Sequence, residues 1–363
     1  MLSLADKNYI FQSYEYLSSW WRYFGQGRPN RELLLLVVEE NSQARAIAPM
    51  MIKLFPFIKS GIVQFIGTDI CDYMDFIIAP ESYSKYLEKI IEYLLRMRFL
   101  EIDLKFIPED SKTPSIFLSF EQQLTLVGGI NQIDVCPFLP LQKDLGQTLQ
   151  GLKDKLKAEI TRKKRALCKK GSLIFKTYKS GRPLKEILDN YFSLHIKRWK
   201  DYGRKYSQFQ YRHWRDFVVK LSYAILDQDW LDISYLEFNN NIVACHFGFR
   251  YNDRLYYYMP TFDPDLAAYS PAKILILEMI EAAHRENLKE FDFLRGQEPY
   301  KLAWTKRLRK IYSLCYYHPA LGLRAFGLTQ RRLYGIYNKG LKPVLKRLRP
   351  LRKIWYSSKG EAI

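Results

Sequence analysis

The order of predicted elements repeats, and that repeat constrains the fold more than any other feature of the chain. Three strand-like runs come early: residues 33–38, then 44–52 after the polar turn Glu39-Glu40-Asn41-Ser42-Gln43, then 61–66. Apolar residues at helical spacing follow over 81–98 (Tyr83, Tyr86, Leu87, Ile90, Ile91, Leu94, Leu95), and "FLEIDL" at 99–104 reads as a further strand. The same order returns nearly 200 residues later. Strands are expected over 231–238, 242–250 and 254–259, with hairpin signals at Asn239-Asn240-Asn241 and Tyr251-Asn252-Asp253. A helix fits 271–287, and "LKEFDFL" at 288–294 closes the set with the same acid-apolar rhythm. A strand-strand-strand-helix-strand unit written twice predicts two copies of one α/β unit packed side by side.

The length of 363 residues suits two domains, and hydrophobic and aromatic fractions of 48% and 15% exclude a disordered chain. The longest apolar run, Leu33 to Val38, has strand length and falls far short of the ~18–20 residues that span a bilayer. "MLSLADKNYI" lacks a basic region followed by an apolar one, so a cytoplasmic protein is expected. Five cysteines (Cys71, Cys136, Cys168, Cys245, Cys315) show no C-x-x-C spacing, and the five histidines are isolated; free thiols and no metal are expected.

The formal charge of +19 is concentrated in two places. Twelve Lys and Arg between Lys153 and Arg182 face only Asp154 and Glu159, and fourteen between Lys306 and Lys353 face no acid. Such a field attracts nucleotide phosphates, nucleic acid or an acidic membrane surface. The first block lies on a basic helical connector, 145–170, followed by a second helix over 183–200. The second block runs into a basic, aromatic-dotted tail from 321 to 363, whose Phe326, Tyr334, Tyr337, Trp355 and Tyr356 suit an anionic membrane interface.

Between the third strand and the helix of the second unit lies "PTFDPDLAAYSPAKILILEMI". Ser270 suits an N-cap and Pro271 the first helical position. The amides of Ala272, Lys273 and Ile274, with the side-chain charge of Lys273, are then expected to offer a seat for a pyrophosphate. An ordinary capped helix is the competing reading.

The run from "LHIKRW" (194–199) through "NNNIVACHFGFRYNDRLYYYMPTFDPDLAAYSPAKILILEMIEAA" to "FDFLRGQEPYKLAWT" (291–305) resembles the CelD-like acetyltransferase domain of the GNAT superfamily, a relative of the FemAB-type aminoacyl transferases. Asp292-Phe293, Arg295-Gly296, Glu298-Pro299-Tyr300-Lys301 and Trp304 carry the likeness most specifically. "FQSYEYLSSWWRYFG" and "FIGTDICDYMDFII" extend it into the first half, so it spans roughly residues 9–320. The resemblance implies tandem GNAT-like folds of mixed α/β sheet: an N-terminal unit, 1–144, structural or acceptor-binding, and a catalytic unit, 145–320. It implies acyl transfer from acyl-CoA, acetyl-CoA first among the donors, to an amine on an amino sugar or amino-acid-like acceptor, in cell-envelope or exopolysaccharide synthesis. The family usually has Gly after the Ser-Pro; this chain has Ala272.

The resemblance also places the third strand, 256–260, at the thioester, in a cleft between that strand and the closing one. Pro260 lacks an N–H, which leaves Met259 and Thr261 as the neighbours of the reacting carbonyl. Glu298, Tyr300 and Lys301 are expected to face it. Asp292, between two phenylalanines, is either a base whose pKa burial has raised or a structural acid paired with a cation such as Arg295. Tyr300 is a proton donor to a thiolate or a packed ring; Lys301 binds an acidic substrate or is a surface lysine. His246, in "ACHFGF", faces the cleft or sits in the core. Trp199 and Trp304 read as packing residues. Two other readings stay open: a FemAB-like transferase using aminoacyl-tRNA, and a non-catalytic GNAT-like module held peripherally at the inner face of the membrane.

Overall fold

The computed structural model describes residues 9–317, except 56–57, 98, 125–126, 151–153, 180 and 202–206. The expected tail, 321–363, and the membrane role read into it lie outside these residues. Helix α1 (Tyr14–Trp20), whose Ser13 cap accepts the N–H of Tyr16, precedes β1 (Arg31–Glu40), β2 (Gln43–Phe55), β3 (Ile58–Phe65) and the short β4 (Ile77–Ile78). Helix α2 (Tyr83–Arg96) and β5 (Glu101–Pro108) complete the first unit, and α2 buries Tyr86, Leu87, Ile90, Ile91 and Leu94, the face its periodicity predicts. Helix α3 (Thr113–Leu124) leads into β6 (Val127–Pro140).

The connector holds α4 (Leu145–Gln150), α5 (Asp154–Cys168), β7 (Leu173–Thr177), α6 (Leu184–Asp201) and α7 (Arg212–Leu226). The second unit is β8 (Leu231–Phe238), β9 (Asn241–Tyr251), β10 (Arg254–Phe262), α8 (Pro271–Arg285) and β11 (Glu290–Asp292), followed by α9 (Pro299–Leu302) and β12 (Leu308–Tyr317). The hairpin turns at Asn41-Ser42, Asn239-Asn240 and Asn252-Asp253 place both central residues in the left-handed region. Asn and Asp tolerate that conformation, and it matches the twist of the joined strands.

Both repeats therefore form, and the expected closing strand shortens to three residues. The described strands make one mixed sheet in the order β1-β2-β3-β5-β12-β6-β11-β10-β9-β8-β7, with β4 on β2. Each unit contains one parallel pair, β3 with β5 and β10 with β11. The outer strands are exchanged: β6, from the first half, pairs with β11 of the second unit, while β12, from the end, pairs with β5 of the first. Where they meet, β6 and β12 pair antiparallel from Pro137–Leu308 to Val127–Tyr317. A cut at 144/145 divides the chain but not the sheet.

One large apolar cluster reaches across both units, joining Phe11, Tyr16 and Phe117 to Phe217, Phe247 and Phe249. A second packs α8 (Ile274, Leu275, Met279, Ile280) against Tyr257, Phe291, Phe293 and Trp304. Burial of this extent, at about 25 cal/mol per Å² of apolar area, makes the two units a common core.

Candidate active site

The parallel pair β10–β11 lasts only three residues, Arg254–Glu290 to Tyr256–Asp292, and then the strands part. Two observations explain why. The chain after β11 stays on β6: the Phe293 N–H donates to the Pro137 carbonyl (2.9 Å) and the Gly296 N–H to that of Val135 (3.0 Å). On the other side β10 bulges, because Tyr256 pairs with Phe249 and Met259 with Phe247, so Tyr257 and Tyr258 oppose the single residue Gly248. His246 fills the irregularity. Its Nε2 accepts the Tyr258 N–H (3.1 Å), and its Nδ1 lies 3.2 Å from Asp232 Oδ1. A Cβ at position 248 would lie 2.2 Å from the Tyr256 carbonyl oxygen, so glycine is required there.

The parted strands enclose a cleft of about 670 Å³. Its walls include Tyr257–Pro260 of β10, Phe293–Arg295 beyond β11, and Glu298, Tyr300 and Lys301 around α9. Helix α6 covers it with His195, Arg198 and Trp199, and the first unit contributes Asp72. That volume and mixed lining suit a small-molecule site.

The cleft is strongly polarised. Arg295 Nε lies 3.2 Å from Asp72 Oδ1 while its guanidinium stacks on Phe106, 3.9 Å from the ring centre. Burial pushes the Asp72 carboxyl up to about 6, and the charges of Arg295 and Lys301 pull against that rise. Lys301 is 5% exposed; its Nζ pairs with Glu298 (3.0 Å) and donates to the Arg295 carbonyl (2.6 Å). Burial raises the Tyr300 hydroxyl pKa, and the nearby Glu298 charge adds to it. His195 is pushed down to about 4, first by burial and then by Arg198, so its ring is neutral and accepts or donates at Ser207 Oγ, 2.9 Å away. Arg198 donates to the Pro260 carbonyl (3.1 Å) and Tyr191 to that of Met259 (3.1 Å), which ties α6 to the bulged strand.

Of the residues singled out in sequence, Met259, Glu298, Tyr300 and Lys301 meet in this cleft, and Trp199, read as packing, also lines it. Asp292 does not. It is fully buried beneath the cleft, where it takes hydrogen bonds from Tyr73 (2.7 Å) and Arg309 Nη1 (2.9 Å). The cation anticipated for it is Arg309 of β12, not Arg295. Its other oxygen accepts the N–H of Leu294 (2.7 Å), a residue in the left-handed region at φ 59°, and so holds the turn that opens the cleft. His246 is likewise a core residue, stacked on Tyr257 with ring centres 5.0 Å apart. Trp304 is buried against α8, as expected.

The expected pyrophosphate seat differs more. Ser270 is the N-cap but sits at φ 52° and makes no side-chain cap bond. Its carbonyl accepts the N–H groups of both Lys273 (3.0 Å) and Ile274 (3.2 Å), and Pro271 has none, which leaves only the Ala272 amide of the first four helical residues. Lys273 pairs with Glu159 of α5 (2.8 Å), Lys163 donates to the Ala268 carbonyl, and Lys164 pairs with Glu278. The basic connector therefore lies across the helix start. Ser270, Ala272 and Lys273 do not line the cleft, and Thr261 is buried with its hydroxyl unpaired.

Residues 154–302 match the protein-family model described as "Acetyltransferase (GNAT) domain". Residues 154–302 thus carry a match to a GNAT acetyltransferase domain. The parted β10–β11 pair lies within the matched residues. Among solved structures, FemX superposes with a TM-score of 0.62 at 9% identity, covering 86% of this chain and 93% of that one. The L-PGS from Bacillus licheniformis gives 0.53 at 12%, covering 88% and 96%. The C-terminal domain of a putative lysylphosphatidylglycerol synthetase from Agrobacterium fabrum gives 0.53 at 11%, covering 85% and 89%. No curated protein matches the sequence.

Sequence reasoning missed Asp72, His195 and Arg198 in the cleft and, beneath it, Arg309 as the partner of Asp292. Asp72 lies in the "FIGTDICDYMDFII" segment that carries part of the family likeness, but its partner, Arg295, is on the other unit. Among the described residues, no helix is long and apolar enough to cross a membrane.

Proposed function

We propose that the chain moves an acyl group from a coenzyme A thioester to a primary amine held in the cleft, with Asp72 as the general base. The observation that carries this reading is the Asp72–Arg295 pair at the fork of the sheet, one member from each unit, with the carboxyl poised at about 6. A base of that pKa is ionised near neutral pH yet accepts a proton readily. As the amine nitrogen bonds to the acyl carbon, its proton passes to Asp72. The carbon–sulfur bond breaks; the departing thiolate is held by a hydrogen bond from the Tyr300 hydroxyl and takes its proton from solvent, to which Asp72 returns the proton of the amine. Arg295 and Lys301 supply positive charge where the carbonyl oxygen gains negative charge. Carboxylates beside an apolar shelf of Trp199, Tyr257 and Met259 fit an amino sugar or amino-acid-like acceptor.

A second donor, an aminoacyl ester on tRNA, is favoured by one feature: the helix start at Ser270 keeps a single unclaimed amide for a diphosphate. The +19 charge suits a polyanion. The donors are separated by thermal melting of the full chain against a panel of acyl-CoAs and against tRNA at low and high salt. A ligand at 100 times its Kd stabilises by about 2.7 kcal/mol. Stabilisation by acyl-CoA, with thiol release from acetyl-CoA when glucosamine is supplied and loss of that release in Asp72→Asn, supports the leading reading. Salt-sensitive stabilisation by tRNA alone supports the second, and a response to neither overturns both.

A further inference from the structure

Strand β1 ends the sheet among the described residues, with β2 on one side only. It is ten residues long, contains neither Lys nor Pro, and exposes Leu33, Leu35 and Val37 at 46%, 54% and 45%. Terminal strands of this kind are normally blunted, because their free N–H and C=O groups and apolar side chains template another strand. The opposite border follows that rule, since β7 is five residues long and carries Lys176. The charge-free middle of β1, Leu33–Val38, lies unblunted between the charged ends Arg31-Glu32 and Glu39-Glu40 and calls for a partner strand.

We infer that the partner is β1 of a second copy, paired antiparallel about a two-fold axis through Leu35. Side chains directly opposed across two strands share a face of the sheet. From Leu33 to Glu40 the odd-numbered residues of β1 are the exposed ones and the even-numbered ones are half-buried, so continuity of faces requires odd to meet odd. Three such registers bring the apolar run together. Centring on Leu36 sets Glu32 against Glu40 of the other copy and Leu33 against Glu39. Centring on Leu34 sets Arg31 against Val37. Centring on Leu35 opposes Leu33 with Val37 twice, Leu35 with itself, and Arg31 with Glu39 at both ends. Only this register joins opposite charges and leaves no like charges opposed, and it makes the contact self-complementary, as a closed two-fold dimer requires. Arg31 already donates to the Phe24 carbonyl and Asp69 at 2.9 Å each, which fixes its side chain at the end of the strand.

The test uses the full chain with the exposed Cys168 replaced by Ser, the other cysteines being buried. Under copper-phenanthroline oxidation, Leu35→Cys is expected to form a disulfide-linked dimer and Leu33→Cys alone is not. A mixture of Leu33→Cys and Val37→Cys is expected to cross-link. Light scattering of unmodified chain at tens of micromolar is expected to give twice the monomer mass. Leu35→Lys, at an exposed site and with an unchanged melting curve, is expected to weaken association at least about tenfold. A monomeric chain throughout that range, or cross-linking that is as strong for Leu33→Cys alone as for Leu35→Cys, overturns the inference.

Discussion

Replacing Arg295 by Gln tests the proposed base without touching it. The guanidinium lies 3.2 Å from Asp72 and opposes the rise that burial imposes on that carboxyl, now at about 6. An opposite charge at such range holds a carboxyl down by roughly 1–3 pH units. Its loss should therefore move Asp72 to about 8. At pH 7 the ionised fraction then falls from about nine-tenths to about one-tenth, so kcat/KM drops about tenfold there. The part of the loss due to Asp72 is recovered as pH rises, whereas the part due to the positive charge Arg295 offers the carbonyl oxygen persists on the plateau above pH 9. The assay is the pH profile of kcat/KM for thiol release from acetyl-CoA with an amine acceptor. Asp72→Asn, measured in parallel, should lose activity about 100-fold or more at every pH. If Arg295 instead only binds substrate, KM rises and the acid limb stays near 6. An unmoved limb in Arg295→Gln, or an Asp72→Asn enzyme that keeps its rate and its limb, refutes the role given to Asp72.

Arg309→Met strands the buried carboxylate of Asp292 and the half-buried one of Glu290, and urea unfolding should show a loss of about 3–5 kcal/mol, partly restored by adding Asp292→Asn. His246→Ala leaves the Tyr258 N–H and Asp232 without their ring partner; it should lower stability by about 2–4 kcal/mol and raise KM for the amine by loosening the bulge, measured by unfolding and steady-state kinetics. Burial pushes the Asp75 carboxyl up to about 6 against hydrogen bonds from Ser111 and Thr113. A carboxyl whose folded pKa is raised supports the fold below about pH 4, and that support is lost as pH rises to about 6. Thermal melts should accordingly find Asp75→Asn gaining on the parent by up to about 3 kcal/mol between pH 4 and pH 7.

The repeat was legible because β1, α2 and α8 bury one face each, while β8 and β9, buried on both faces, are marked by the turns that bound them. The period-2 signal of β1 and the period-3.6 signals of α2 and α8 follow directly from one-sided burial. The exchanged strands were not. β6 begins Val127-Gly128-Gly129 and carries Asn131, Gln132 and Pro137, so it lacks the composition of a strand. β12 opens Leu308-Arg309-Lys310 inside a basic stretch, where charge hides the alternation. The same charge hid Arg309: nothing in a run of cations marks the one that is buried. The cleft residues around α9 were legible through the family likeness, whereas Asp72 reaches them by a contact 223 positions away along the chain, from Asp72 to Arg295. At Ser270 the helix start and the proline were read correctly, but the serine side chain makes no cap bond. The error lay in treating amides as free that the cap's own carbonyl takes.

The trading of β6 and β12 has a consequence for how the molecule is made. The first unit borders on a strand that leaves the ribosome after every other described element, so its hydrogen-bonding edge at β5 stays open until residues 308–317 have been made. Closure of both halves must then come late and together. Damage to either half during translation should send the whole chain, rather than one lobe, to degradation.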